Sequence, residues 1–351
     1  MSQLLIRWGL GERLEAHGVK LLSMSFHRYS TGERVGFSHL GPTMECEHGA
    51  SYYHLHRADL LNMLLEIAAP YMKLQLGSRV QSINVKGLSA TLASGHVLHA
   101  DLIIDDPLPT GDSVDRAIIP TAEMLKDPIL EPLVAVPELF FWMGPAKHIV
   151  GYCIRAKTEY NLVLICPDHS KSNKVDSWTA AGNIEQMQSI YVGSASVEKL
   201  LNLVKTTMTG QLVVRKLLTS RLDSTKRVAL IGDACHPMLP YRAQGSAMAI
   251  EDAAEQIEPF LEAYQEIRSG RATSTQAASF SNRKIFHFPD AMVEILRGEK
   301  ANGDGYTENA NMWADKKKIF DQFSYDADEA VDRWWRVKGQ ALNGWMDSSK
   351  L

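Results

Sequence analysis

Residues 228–254 read VALIGDACHPMLPYRAQGSAMAIEDAA, and no other stretch of this 351-residue chain narrows its fold as much. A short apolar run ends at Gly232, where the backbone can turn sharply. Asp233 then stands just past the strand end, placed to accept hydrogen bonds from a polyol or ribose. Pro237 and Pro240 stiffen the loop. Gly245, Ser246 and Ala247 open the next helix, so its free N–H groups and positive end point outward. An electron-rich or anionic group is stabilised at such an end, and small residues admit a flat ring. The same string could also be a plain strand–loop–helix crossover with no ligand.

The rest of the chain supplies parallel-type strands at both ends and a different sheet between them. Leu4, Leu5, Trp8 and Leu14 share one face of an N-terminal helix. Residues 21–29 and 34–38 read as strands, and Asp59 is expected to cap a helix running to about Met72. Residues 79–86 and 90–98 are two more strands, the second folded back at Ser94-Gly95. The apolar runs at 101–104 and 227–231 suit a buried parallel sheet. Residues 134–143, 148–155 and 160–166 suggest a separate antiparallel sheet, and 168–183 a polar loop. Helical patterns follow at 197–207 and 245–267, then a polar helical tail anchored by Trp313, Trp334, Trp335 and Trp345.

The expected fold class is therefore α/β with an inserted antiparallel sheet, the layout of a nucleotide-binding domain interrupted by a substrate domain. The divisions expected are 1–116 for the first half of the nucleotide domain, 117–226 for the substrate domain, 227–267 for the second half and 268–351 for a C-terminal helical region.

A net charge of −4 lacks the basic excess of a nucleic-acid binder. Four cysteines (Cys46, Cys153, Cys166, Cys235) form no Cys-x-x-Cys pair, which argues against a standard zinc motif and a disulfide framework. A reduced, cytoplasmic setting fits this usage. The first residues lack a signal-peptide pattern. The most apolar stretch, 133–154, is interrupted by Pro137, Glu138, Pro145 and Lys147, so no membrane span is expected. Oligomeric state is not legible.

The 228–254 string closely resembles the second FAD-binding motif of the flavoprotein aromatic hydroxylases, the salicylate hydroxylase-like group: Gly-Asp-Ala-x-His-x-x-x-Pro, a Gly-rich turn, then Glu-Asp-Ala. The resemblance implies that Asp233 binds the ribityl chain of FAD and that Pro240 lies beside the isoalloxazine. Gly245 and Ser246 would contact the ring edge through their backbone, and His236 would be structural. HRADLL is similar to the stretch whose arginine, here Arg57, contacts FAD; the alternative is a surface Arg57 paired with Asp59. GYCIRAKTEYNLVLIC resembles the family's substrate-domain strand pair, in which Arg155 would face a phenolate or carboxylate; the alternative is a solvated strand arginine. Tyr191 lies where some relatives supply a tyrosine to substrate, and a packed tyrosine is the competing reading.

Two departures stand out. The family opens with a Gly-x-Gly-x-x-Gly fingerprint, whereas Gly9-Leu10-Gly11 is followed by Leu14 and resembles a Trp-Gly-Leu-Gly turn found further along. The resemblance thus implies a chain shortened at its N-terminus, with an incomplete, Rossmann-like FAD/NAD(P)-binding domain beside the substrate domain. After DLII the family carries Gly-Ala-Asp-Gly; here Asp105, Asp106 and Pro107 follow, while Ser113 and Arg116 keep the later Ser-x-x-Arg. The function implied is an FAD- and NAD(P)H-dependent monooxygenase acting on a phenolic or polyketide-like small molecule, in secondary metabolism. The alternatives are a non-redox lyase, cyclase or isomerase in an emptied FAD cleft, and an inactive remnant.

Overall fold

The structure, a computed structural model, describes residues 1–99, 108–167, 180–214, 217–223, 226, 228–254, 261–287 and 315–338. The chain opens with helix α1 (Ser2–Leu5), a π-turn (Ile6–Leu10) and helix α2 (Gly11–His17). Gly9, at φ 85°, sits inside the π-turn. That irregularity changes the helical phase, so Leu10 is buried with Leu4, Leu5 and Leu14 while Trp8 stays 36% exposed. The expected face through Trp8 assumed an unbroken 3.6-residue period.

Next come β1 (Val19–Lys20), β2 (Ser23–Arg28), β3 (Arg34–His39), α3 (Gly41–His48), β4 (Tyr53–His54) and α4 (Arg57–Ala68). The cap of α4 is His56, not Asp59, which lies inside the first turn and points to another partner. Strands β5 (Val80–Asn84), β6 (Ser89–Leu92) and β7 (Val97–His99) form a small antiparallel sheet folded back at Ser94-Gly95 as expected.

The main sheet has eight strands. It adds β8 (Leu108–Pro120), β9 (Glu138–Gly144), β10 (Lys147–Ile154), β11 (Glu159–Pro167), β12 (Ala180–Ala181) and β13 (Met208–Val214) to β2 and β3. The strand order is β12-β13-β8-β11-β10-β9-β2-β3, antiparallel throughout except for the parallel β2–β9 pair. Short helices α5 (Thr121–Met124) and α6 (Pro132–Ala135) precede β9, and α7 (Ile184–Ile190) and α8 (Ala195–Leu203) lie between β12 and β13. The expected division at 116/117 falls inside β8, and β2 and β3 belong to the same sheet as the substrate-domain strands. Ladder pairing joins segments that composition keeps apart.

Strand alternation gives this sheet two faces. One carries Ile119, Trp142, Leu162 and Leu164 under Met187 of α7 and Leu200 of α8. The other carries Phe26, Val114, Phe141 and Ile165 against Leu239, Tyr241 and Phe286, which belong to the Gly232 loop region and the long C-terminal helix. Helices α9 (Gly245–Ala254), α10 (Leu261–Phe286), α11 (Lys316–Phe323) and α12 (Ala327–Lys338) complete the described chain. The expected helix 245–267 is represented by α9 and the start of α10. Of the tail tryptophans, Trp334 donates to Glu266 at 2.8 Å, and Trp313 and Trp345 lie outside the described residues.

The run at 227–231, expected as a sheet strand, shows only an isolated bridge between Leu222 and Ala229 among the described residues. Its backbone is satisfied piecemeal: Leu230 N–H donates to Arg221 O, and Tyr264 Oη–H donates to Leu230 O, each at 2.8 Å. The run at 101–104, with Asp105 and Asp106, lies outside the described residues.

Candidate active site

The Gly232 loop is shaped from beneath by a buried charge network. Asp252, on α9 and fully buried, accepts from Gly232 N–H at 2.8 Å, from His236 Nε2 at 2.5 Å and from Arg268 Nε at 2.7 Å. Arg268 also donates to Glu251 at 2.8 Å, and Arg271 grips the same carboxylate with bonds of 2.7 and 2.8 Å. Burial disfavours a charged His236, but the Asp252 and Cys235 side chains outweigh it and hold its pKa up at about 9. Burial likewise opposes ionised Asp252, yet His236 and Arg268 keep its pKa at about 2. His236 is therefore a structural cation, as the resemblance implied. The Gly-Asp-Ala-x-His and Glu-Asp-Ala signatures are two halves of one latch. Its cationic members on α10, Arg268 and Arg271, carry no local sequence signal.

Above the latch, the groups that the resemblance assigns to FAD are open. Asp233 is exposed, and its Oδ1 lies 3.9 Å from the point where a Cβ on Gly245 would sit. Gly245 and exposed Ser246 are the first two residues of the ten-residue α9, so their backbone N–H groups lead the helix. Pro240 is exposed at the start of a 3-10 turn, and the next residue, Tyr241, turns inward. Its Oη–H donates to buried Asp112 of β8 at 3.2 Å, and Arg283 of α10 grips the same carboxylate at 2.6 Å. The loop is thereby pinned to the main sheet. Asp233, Pro240, Gly245 and Ser246, four of the residues expected from sequence, are gathered in one stretch.

Continuing along β8 on that face, Arg116 lies two residues beyond Val114. Burial lowers its pKa, and the charge of Arg57, at the start of α4, lowers it further. Neither guanidinium has a carboxylate partner among the described residues. Nearby, Tyr152 of β10 packs its ring 4.3 Å from that of His54. Burial pushes the Tyr152 phenol up while Arg116 pulls it back, and burial alone pushes His54 down to about 3. Both rings are neutral at neutral pH. Sequence reasoning marked Arg57 but gave Arg116 no site role and missed Tyr152. The retained Ser-x-x-Arg was the signal for Arg116, and the alternation within β10 the one for Tyr152.

Arg155 and Tyr191 are placed elsewhere. Arg155 sits in the β10–β11 turn with its guanidinium occupied: Nε and Nη2 donate to Asp59 at 2.8 and 3.0 Å, and Nη1 to Glu159 at 2.9 Å. Tyr191 is fully buried under the opposite face of the sheet, in the core with Trp142 and Leu200, and among the described residues its hydroxyl has no hydrogen-bond partner. Burial first, then neighbouring Cys166 at the far end of β11, pushes its phenol far above the ordinary range. Glu159 and Cys166 lie at opposite ends of β11, roughly 20 Å apart at the usual rise of a strand. The two side chains do not meet at one small molecule.

The main sheet, the pinned Gly-Asp loop and the open N-terminus of α9 together define the architecture of flavin-dependent hydroxylases. The family described as an FAD binding domain matches residues 139–278. The chain is 30% identical to the FAD-dependent monooxygenase OpS4 of Beauveria bassiana, over 85% of this chain and 77% of that protein. It is 27% identical to the 3-amino-4-hydroxybenzoate 2-monooxygenase PtnB3 of Streptomyces platensis, over 84% of this chain and 79% of that one. A salicylate hydroxylase solved with its substrate superposes with a TM-score of 0.70 at 20% identity, covering 94% of this chain and 87% of the other. Klebsiella pneumoniae HpxO, solved with FAD and uric acid, gives 0.68 at 19%, covering 85% and 82%. The chain belongs to the FAD-dependent monooxygenases, and it shares its fold with salicylate hydroxylase.

The residues present fit FAD. The absent Cβ at Gly245, the exposed Asp233 carboxylate and the leading N–H groups of α9 suit a flat, polyol-bearing group. Arg57 and Arg116, uncompensated by carboxylates among the described residues, suit its negative charge.

Proposed function

We propose that this enzyme hydroxylates a phenolic or polyketide-derived aromatic small molecule in secondary metabolism, using FAD, NAD(P)H and oxygen. The observation that carries this reading is the joining of the open Gly232–Ser246 loop to a sheet face bearing Arg116 and Tyr152, with His54 of β4 packed on Tyr152. FAD, when bound and reduced, supplies the oxygen-activating redox chemistry. The chain supplies placement and charge. Asp233 accepts from the polyol, the N–H groups of Gly245 and Ser246 donate to the ring edge, and Pro240 bounds the ring. Arg57 and Arg116 offset negative charge, and neutral Tyr152 and His54 line the sheet side without competing for protons. Direct substrate contact passes from Arg155 and Tyr191, whose positions serve other ends, to this face.

The names of the relatives support the substrate class. One acts on an aminohydroxybenzoate, and 6-hydroxynicotinate 3-monooxygenase of Pseudomonas fluorescens, 26% identical over 72% of this chain and 69% of its own length, acts on a hydroxylated heteroaromatic acid. OpS4, PtnB3 and the Pseudomonas enzyme are all named monooxygenases, which favours the redox reading over the non-redox alternative. Among the described residues no helix is long and apolar enough to cross a membrane. A cytoplasmic setting is part of the proposal, supported by four free cysteines and by the intracellular location of NAD(P)H.

The test is the visible spectrum of the purified chain after FAD is added and the excess removed, followed by NAD(P)H oxidation with a panel of phenols. Flavin bands and substrate-stimulated oxidation yielding a hydroxylated product are expected. A colourless protein indifferent to FAD would sink the reading.

A further inference from the structure

We propose that Arg155 is a positioning residue: through Asp59 it sets the first turn of α4 and thereby aims Arg57 at FAD. The inference rests on the flavoprotein reading above and goes beyond it in assigning a role to a side chain that touches neither cofactor nor substrate.

The first turn of α4 needs such a restraint. Its cap residue, His56, makes no side-chain capping bond. Substituting for a cap, the fork of Arg155 closes on the carboxylate of Asp59 with bonds of 2.8 and 3.0 Å, the two-point geometry in which arginine fixes direction as well as distance. Nη2 also lies 3.5 Å from His56 Nδ1, so both the cap and the first turn are touched. Arg57 sits between them in that same turn, and its charge already reaches Arg116 on β8.

The other end of the tie is built for the purpose. Arg155, Ala156 and Lys157 have φ of 48°, 50° and 69°, three consecutive non-glycine residues in the left-handed region. Such residues carry a conformational cost and persist where surrounding contacts hold them. Here Ala156 N–H donates to His17 O at 3.2 Å, Lys157 Nζ to Ala135 O at 2.7 Å and Thr158 Oγ1 to Arg155 O at 2.7 Å. The strained turn carries the guanidinium off the end of the sheet and onto α4. Glu159, at 2.9 Å, holds Nη1 on the sheet side. An isolated exposed ion pair orders little, but a bidentate pair inside such a network does more.

The test is FAD affinity of the full chain, read by flavin fluorescence, for Arg155→Ala, Arg155→Lys, Arg57→Ala and the double variant Arg57→Ala/Arg155→Ala. The FAD Kd should rise about tenfold in Arg155→Ala and nearly as much in Arg155→Lys, because an ammonium cannot form the fork. The double variant should bind FAD no more weakly than Arg57→Ala alone, the mark of residues acting through one another. Arg13→Ala, which breaks the ion pair between α2 and Glu66 of α4, controls for the loss of any exposed pair on that helix and should leave the Kd near wild type. Losses that multiply in the double variant would overturn the proposal. So would an unchanged FAD Kd with a raised substrate KM in Arg155→Ala, which would make Arg155 a substrate contact. If Arg155→Ala fails to fold, Arg155→Lys decides. A wild-type chain that binds no FAD would instead remove the flavoprotein reading itself, and the proposal with it.

Discussion

His236 Nε2 lies 2.5 Å from Asp252 Oδ2, a buried contact between residues 16 apart in sequence, and the same oxygen accepts from Gly232 N–H. One carboxylate therefore fixes the turn that presents Asp233 and the histidine that closes the loop behind it. Replacing it with an amide removes the counter-charge of His236 and one of the two carboxylates that buried Arg268 holds. Asp252→Asn is expected to cost about 3–5 kcal/mol of stability. Urea unfolding of the purified variant checks this, and a loss under about 1 kcal/mol would contradict a central latch.

The same pair predicts a pH dependence. The pKa of His236 is about 9 in the folded chain, above the ordinary histidine value of about 6.5. A raised pKa means that its contribution is fully present below about pH 6.5 and is lost as pH rises through about 9. Asp252, held at about 2, contributes above the ordinary aspartate range and loses its contribution as pH falls toward 2. Unfolding free energy measured from pH 6 to 10 should decline along the upper limb on the order of 3 kcal/mol, and His236→Asn should flatten that decline.

Asp233 is exposed and outside the latch. Asp233→Ala should change stability by less than about 0.5 kcal/mol. It should weaken FAD binding by about 1.5–3 kcal/mol, the usual loss for hydrogen bonds to a charged group. Paired measurements of thermal unfolding and flavin titration separate the two effects. An FAD affinity equal to wild type would remove Asp233 from the site.

Gly245 separates fold from function in a second way. A Cβ there would meet only Met238 Cγ at 3.8 Å and Asp233 Oδ1 at 3.9 Å, ordinary contact distances. Gly245→Ala should therefore fold normally, and a somewhat raised Tm is expected from the loss of glycine's unfolded-state entropy. Its methyl would enter the space where a flat ring approaches the backbone, so FAD affinity should fall. Undiminished FAD binding would place the ring elsewhere.

Tyr191→Phe removes a buried hydroxyl that has no hydrogen-bond partner among the described residues. Stability should be unchanged or rise by about 1 kcal/mol, since no bond is lost and a desolvated polar group goes. Turnover and substrate KM should match wild type. A marked loss of turnover would restore Tyr191 to the reaction.

Local sequence was enough to mark the candidate FAD loop. Gly232, Asp233, Pro240, Gly245 and Ser246 are consecutive enough that local backbone needs dictate residue type, so the pattern is legible without a fold. Turn chemistry likewise marked the hairpin at Ser94-Gly95, and the apolar pattern marked strands β10 and β11 though not the turn between them. Tertiary structure alone decided the rest. Arg155 and Tyr191 are separated because β11 runs between them and its two ends are far apart, a distance that sequence spacing does not express. Asp59 became a clamp partner instead of a cap because a strained turn about a hundred residues away reaches it; the separation is 96. Arg268 and Tyr152 carry no motif, Arg116 only the remnant Ser-x-x-Arg, and their roles arise from which faces are brought together. Short-range geometry is written in neighbouring residues. Long-range placement is set by sheet pairing and burial, which depend on every segment at once.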